Sequence, residues 1–150
     1  LASTVSTPDI AAAPRLVVFR LGERSFGIHL KSVREILPFR RATRLPGAPA
    51  YVAGLINVRG TIVTVIDLGR RLGSTTAAHA DAAVVLVECG AHVVGVLVDE
   101  VLDVRRPGDD DFRVFPTEGN ATGALRAIGQ QGESTVLMLD VEEIVREILL

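Results

Sequence analysis

The sequence predicts a mainly-β fold: two small β-barrels packed around a shared hydrophobic core, with short helices and a C-terminal helix. Three observations lead there. Of 150 residues, 48% are hydrophobic but only 4% aromatic, so the core must be built from Val, Leu and Ile, which suits pleated, half-buried surfaces. The apolar residues fall in short runs of strand length, bounded by Gly, Pro, Asn and Asp. The chain also resembles itself at a shift of about 70 residues, and two such small β units gain a joint core that neither holds alone.

Residues 1–14 are small, polar and weakly patterned, as in a flexible tail. Residues 16–21 (LVVFRL) and 25–30 (SFGIHL) read as strands around a turn at Gly22-Glu23. A short helical turn through Ser32–Leu37 is expected to stop at Pro38. The segment 40–50 (RRATRLPGAPA) reads as a basic, proline-bearing loop, with Pro49 opening a short helix over Ala50–Leu55. Asn57–Gly60 then turns into an apolar strand, Thr61–Ile66, and Asp67 caps a short helix, Leu68–Leu72.

After a loop at 73–82, strands are expected at 83–89 (AVVLVEC) and 92–98 (HVVGVLV), followed by a polar, acidic stretch at 105–111. The chain closes with a strand at Thr135–Leu139, Asp140 as a cap, and a helix over 141–150. That helix places Val141, Ile144, Val145, Ile148 and Leu149 on one face. Asp140 and Glu143 have capping-box spacing.

The repeat is explicit. With Gly27 set on Gly95, residues 16–36 align with 84–104 without a gap, at a shift of 95 − 27 = 68. Val17, Phe19 and Leu21 meet Val85, Val87 and Cys89; Phe26, Ile28 and Leu30 meet Val94, Val96 and Val98. Arg20 and Glu88 fall on the opposite face, the alternation of a strand buried on one side. A second pair, TIVTVIDL at 61–68 and STVLMLDV at 134–141, matches at a shift of 134 − 61 = 73. The order is A–B–A–B, and residues 15–150 are expected to form one domain of two intertwined β-barrel subdomains, with repeat units of about 16–72 and 84–150. The second hairpin carries Val93 and Leu97 where the first has Ser25 and His29, so both of its faces need cover.

Charge and motif content narrow the function. Sixteen basic against 18 acidic residues leave a net charge of −2, with no strong pull toward nucleic acid or anionic lipid. No apolar run approaches a membrane span and no signal peptide is evident, so a cytoplasmic protein without direct membrane insertion is expected. The lone Cys89 aligns with core Leu21 and reads as a buried hydrophobe. His29, His79 and His92 are scattered without zinc spacing, Asp109–Asp111 lacks the spacing of a metal loop, and no phosphate-cradling motif occurs. No cofactor, metal or catalytic residue is therefore expected. An enzyme with a barrel-lined pocket would need convergent polar groups that the sequence does not display.

Three stretches carry a family resemblance: LVVFRLGERSFGIHLKSVREIL, TRLPGAPAYVAGLINVRGTIVTVIDL and VVGVLVDEVLDV. The middle one is the most specific. It joins Leu45-Pro46-Gly47-Ala48-Pro49 to the turn Gly54 through Gly60 and a strand ending in Asp67-Leu68. Over roughly residues 15–148 the chain resembles the CheW family of chemotaxis coupling proteins. That resemblance implies two five-stranded SH3-like barrels about a shared core. It also implies an adaptor that couples chemoreceptor signalling tips to the regulatory domain of a CheA-type histidine kinase, at receptor arrays on the inner face of the membrane. A CheW-like module of a larger CheV-like or kinase protein is the alternative, and a self-associating structural barrel a further one. The chain departs from the family at Thr64, where many members carry proline, and in the hard-to-align region 116–133.

The same resemblance singles out residues. Val33, Ile36, Val101 and Val104, related by the repeat, are either plain core or, with Glu35 and Arg59, candidates for a receptor-binding groove between the barrels; Gly54, Leu45 and Pro46 are candidates for kinase binding. Glu35, a carboxylate among apolar neighbours, calls for a cation, and Arg59 is the expected partner. Arg40, Arg41 and Arg44 read as a solvated basic face. Gly27 and Gly95 relieve crowding or admit a partner backbone.

Overall fold

The computed structural model describes residues 14–73, 80–117 and 124–149, with Leu149 described by its backbone only. Residues 1–13 of the expected tail, 74–79 of the loop at 73–82, and 118–123 of the hard-to-align segment lie outside the described residues.

The chain runs β1 (Leu16–Leu21), β2 (Arg24–His29), β3 (Val33–Pro38), β4 (Val52–Val58), β5 (Thr61–Asp67), α1 (Leu68–Arg71), β6 (Ala83–Cys89), β7 (His92–Val98), β8 (Glu100–Arg105), β9 (Arg113–Pro116), β10 (Leu125–Gln131), β11 (Ser134–Leu139) and α2 (Val141–Leu149). The fold is mainly β, as expected. Among the described residues, a six-stranded sheet runs β8-β1-β2-β11-β10-β9 and a five-stranded sheet β3-β6-β7-β5-β4. The architecture is consistent with the expected pair of SH3-like barrels, although among the described residues neither sheet closes on itself and one has six strands rather than five. The strand counts differ because β9 pairs with β10 over four residues, whereas its counterpart beside β4 is one bridge, Thr43 to Leu55.

The two repeat units are interleaved. The hairpin β1–β2 of the first unit pairs with β11 of the second, and β6–β7 of the second pairs with β5 of the first, both through parallel contacts. The third strands cross as well: β3 joins β6 and β8 joins β1. Registers coincide under the sequence shifts. Gly27 opposes Met138 and Gly95 opposes Val65, which differ by 95 − 27 = 68 and 138 − 65 = 73. Val33 opposes Val87 and Val101 opposes Phe19, an interchange by 68.

Alternation along each strand sorts the apolar residues into three cores. Val17, Phe19, Leu21, Phe26 and Ile28 of one sheet meet Val85, Val87, Val94, Val96 and Val98 of the other, and Val141, Ile144 and Val145 of α2 cover the joint. Phe19 and Phe26 stack there at 6.2 Å. Cys89 packs against this seam, and burial pushes its thiol pKa up, which suits an unreactive side chain. The intervening residues are buried too. Leu16 and Val18 pack with Phe112 and Val136, while Val84 and Leu86 pack with Leu37, Ile56, Val58, Val63 and Val65. The expectation of a single buried face on β1 is thus corrected, while the cover expected on both faces of the second hairpin is present: β1 and β6 are both sandwiched between cores. This explains the glycine pair. A Cβ on Gly95 would stand 2.8 Å from Val84 Cγ1, and one on Gly27 3.3 Å from Val136 Cγ1, so both positions relieve crowding.

Two expected helices are strands. A 3-10 turn occupies Leu30–Ser32, and Val33–Pro38 is β3; the expected turn at Ser32–Leu37 fails because its apolar residues find the edge of β6. Likewise, of the helix expected over Ala50–Leu55, Ala50 and Tyr51 form a turn in which the Val52 N–H donates to the Pro49 carbonyl at 3.0 Å, and Val52–Leu55 belong to β4. Strands β8, β9 and β10 had no sequence expectation. The two aspartate caps form as expected: Asp67 accepts from the Arg70 N–H and Asp140 from the Glu143 N–H, each at 3.2 Å.

Candidate docking site

Strand β3 is the free edge of its sheet among the described residues, and a bulge there builds the site. Val33 pairs with Val87, but Glu35 pairs with Leu86, so Arg34 is the extra residue. The bulge reverses the face. Val33 packs with Val87 against the central seam, whereas Glu35 shares the side of Leu86 and Leu37. A carboxylate is thereby aimed over the outer core rather than into the seam.

The β4–β5 hairpin brings the cation. Its loop is two residues, Arg59 and Gly60, with φ of 49° and 88°, the sign pattern of a type I′ turn. The Asn57 side chain fastens it by accepting from the Gly60 N–H at 2.8 Å. From this turn Arg59 reaches Glu35 with both guanidinium ends: Nη1 donates to Oε2 at 3.2 Å and Nη2 donates to Oε1. This bidentate geometry gives the pair a fixed orientation. The Arg59 hydrogen bond holds the Glu35 carboxyl below its ordinary value of 4.5 and raises the Arg59 pKa in turn. The pair is therefore an anchored surface feature, with Arg59 mostly exposed. Arg34, Thr61, Val63, Leu86 and Val93 surround it in a cleft of about 230 Å³. Of these, only Val93 had drawn notice in the sequence, as an outward apolar residue.

Under the shift of 73, Arg59 occupies the place of Gly132, whose φ is 61°. One unit uses glycine for this left-handed position and the other an arginine, for which that backbone costs about 1–2 kcal/mol. Such cost at an exposed side chain points to a role for the side chain itself. The Glu35 titration offers a direct check. By carboxyl NMR, Glu35 is expected to titrate below 4.5 and to move upward in Arg59→Gly. A carboxylate with a depressed folded pKa contributes stability above its unfolded pKa, which is lost as pH falls through the folded value. An unchanged titration in the variant would show that the pair does not form in solution.

The other candidates separate into groups. Val33 and Val101 are partly buried equivalents that pack on the central seam from the two edge strands. Ile36 and Val104 are equivalents on β3 and β8, 41% and 46% exposed, on different sheets. Leu45 and Pro46 are exposed at the tip of a turn in which the Ala48 N–H donates to the Leu45 carbonyl at 3.2 Å and Gly47 has φ 81°, a type II arrangement. Gly54 is buried beneath Thr43, so it acts by seating the 40–50 loop rather than as a contact surface. Arg40 ties the same loop to the hairpin by donating to the Asn57 carbonyl at 2.8 Å. The expected solvated face at Arg40, Arg41 and Arg44 is exposed. Ile62, 60% exposed and paired with Asn57, extends the apolar surface of the hairpin and had no sequence expectation.

Interleaved β units with an anchored ion pair and exposed apolar residues on free edges present surfaces suited to protein docking. The family model for the CheW-like domain matches residues 15–149, and the chain belongs to that family. It is similar to chemotaxis protein CheW of Rhizobium meliloti, 39% identical over 102 residues that span 67% of this chain and 66% of that protein. It is also similar to chemotaxis protein CheW of Klebsiella aerogenes, 32% identical over 131 residues, 85% of this chain and 79% of that one. Among solved structures, scaffolding protein TtCheW from Thermoanaerobacter tengcongensis superposes with a TM-score of 0.75 at 26% identity, covering 85% of this chain and 89% of that one. The protein is accordingly a chemotaxis adaptor module. Among the described residues, no helix is long and apolar enough to cross a membrane.

Proposed function

We propose that this protein couples chemoreceptor cytoplasmic tips to the regulatory domain of a CheA-type histidine kinase, as a non-catalytic cytoplasmic adaptor held at receptor arrays. The observation that carries the reading is the Glu35–Arg59 pair, kept on the outer surface by a bulge and a left-handed arginine. Receptor contact is assigned to the Glu35–Arg59 pair and Ile36 on β3, with Val104 as the equivalent exposed position on the other sheet and Val33 and Val101 supporting the two edges from the central seam. An amphipathic helical tip would lay apolar residues on Ile36 or Val104 and align its polar residues on the pair. Kinase contact is assigned to the Leu45–Pro46 turn, seated by Gly54. The family membership and the similarity to a scaffolding protein support the adaptor reading. The A–B–A–B order, with matching registers in both halves, fits a duplicated unit.

The test uses the left-handed turn. Arg59→Gly keeps the backbone that Gly132 adopts in the other half, so folding stability is expected to hold or rise by about 0–1 kcal/mol. Co-sedimentation with receptor-bearing membranes is expected to weaken by about tenfold or more, the scale of a hot-spot arginine. Wild-type receptor binding by a folded Arg59→Gly protein would remove the pair from the function. Undiminished kinase binding on changing Leu45 and Pro46 to serine and alanine would remove the second assignment.

A further inference from the structure

A second polar feature lies on the other sheet, at the end of β8. Arg15, Arg105 and Arg106 line a cleft of about 370 Å³ together with Val104 and Asp109. The three guanidinium groups come from the residue before β1, the last residue of β8, and the residue after it, so the β1–β8 pairing brings them together. Arg105 is fixed in place. Its guanidinium lies 5.8 Å from the centre of the buried Phe112 ring, and its Nε donates to Asp103 Oδ2 at 3.4 Å. Two N–H groups are withdrawn from solvent without an acceptor among the described residues: Arg105 Nη1 and Arg106 Nε. Buried donors of this kind are costly unless an acceptor meets them.

The fold does not require these charges. Under the shift of 68, Arg105, Arg106 and Arg15 correspond to Leu37, Pro38 and Ala83, and the equivalent corner of the other sheet is apolar. Three arginines line the cleft against Asp109, and Asp103 pairs with Arg105, so the corner keeps an excess of positive charge on a chain whose net charge is −2. Planar guanidinium forks match tetrahedral and carboxylate oxygens through paired N–H donors.

We infer that the Arg15–Arg105–Arg106 cleft binds a phosphate-type oxyanion, free in solution or carried on a phosphorylated side chain. The site lies on the other sheet from the Glu35–Arg59 pair, shares only Val104 with the proposed receptor contacts, and does not rest on the receptor reading. Inorganic phosphate is the probe, added at constant ionic strength with chloride as the balancing anion. The arginine Nε–Hε signals of the protein are followed by NMR. Saturable shifts at Arg105 and Arg106 with phosphate, lost in Arg106→Gln and Arg15→Gln, are the expected result. A phosphoserine peptide that shifts the same signals more strongly than phosphate identifies the side-chain-borne source; the reverse order identifies the free ion. Shifts that fail to saturate, that chloride reproduces, or that survive in both folded variants would overturn the inference.

Discussion

Changing Phe112 to alanine is expected to destabilise the fold by about 3–5 kcal/mol, a large share of the stability of a domain this size. Phe112 is fully buried and fills the small core of Leu16, Val18 and Val136. Its ring lies so tightly on β10 that a Cβ on Gly129 would stand 2.5 Å from two ring carbons. No side chain of β10 at that point could move in to fill the space, so the cavity stays open. Two backbone hydrogen bonds hold the residue in place: its N–H donates to Asp109 and its carbonyl accepts from Gly108, both at 2.7 Å. The chain has no tryptophan, so urea unfolding is best followed by far-ultraviolet circular dichroism. Phe112→Leu should cost less, about 1–2 kcal/mol, because it retains most of the volume. A loss under about 1 kcal/mol in Phe112→Ala would mean that the outer core is not packed as described.

Gly54→Ala is the second large effect, expected to cost about 2–4 kcal/mol. A Cβ at this position would fall on the Thr43 carbonyl, and φ of 140° is already outside the range of most side chains. The obstacle is backbone, so no rotamer change relieves it. The paired hydrogen bonds between Thr43 and Leu55, both 2.8 Å, would have to open, and the 40–50 loop would leave its seat. Gly47→Ala makes the proper control. Its φ is 81° but nothing lies within 4 Å, so only the conformational cost applies, about 1–2 kcal/mol. If the kinase reads Leu45 and Pro46, Gly54→Ala should also weaken kinase binding more than Gly47→Ala does, at matched folded fraction. Equal melting curves for the two variants would refute the steric account.

Several features of the site could be read directly from residues. Glu35 among Val33 and Ile36 called for a cation, and the turn at Arg59 supplied one. The turn itself was legible because Asn57 and Gly60 bracket it. What could not be read was the bulge at Arg34. In a strand without it, Glu35 would share the face of Val33 and point into the seam; one unpaired residue reverses that. The local pattern VREIL suits a short helix as well as a strand, and only the unfilled edge of β6 decides between them. The same limit hid β8, whose partner residues in β1 lie 80 to 89 positions earlier in the chain (100 − 20 = 80, 105 − 16 = 89). It also hid Phe112, a single aromatic after an acidic run, whose place depends on a glycine in a strand that drew no expectation.

Periodicity, capping and self-similarity, all local properties of the chain, sufficed for the β class, the two aspartate-capped helices and the inward residues of the central seam. They could not say which half pairs with which. The repeat order A–B–A–B is equally compatible with two separate units, each pairing within itself. The tertiary structure exchanges them, setting β2 beside β11 and β7 beside β5. The physical reason is that alternation specifies which face of a strand is buried but carries no label for the neighbouring strand. That choice belongs to the joint packing of Phe19, Phe26, Val85, Val96 and α2 over the seam, a contact set that exists only once the chain has folded.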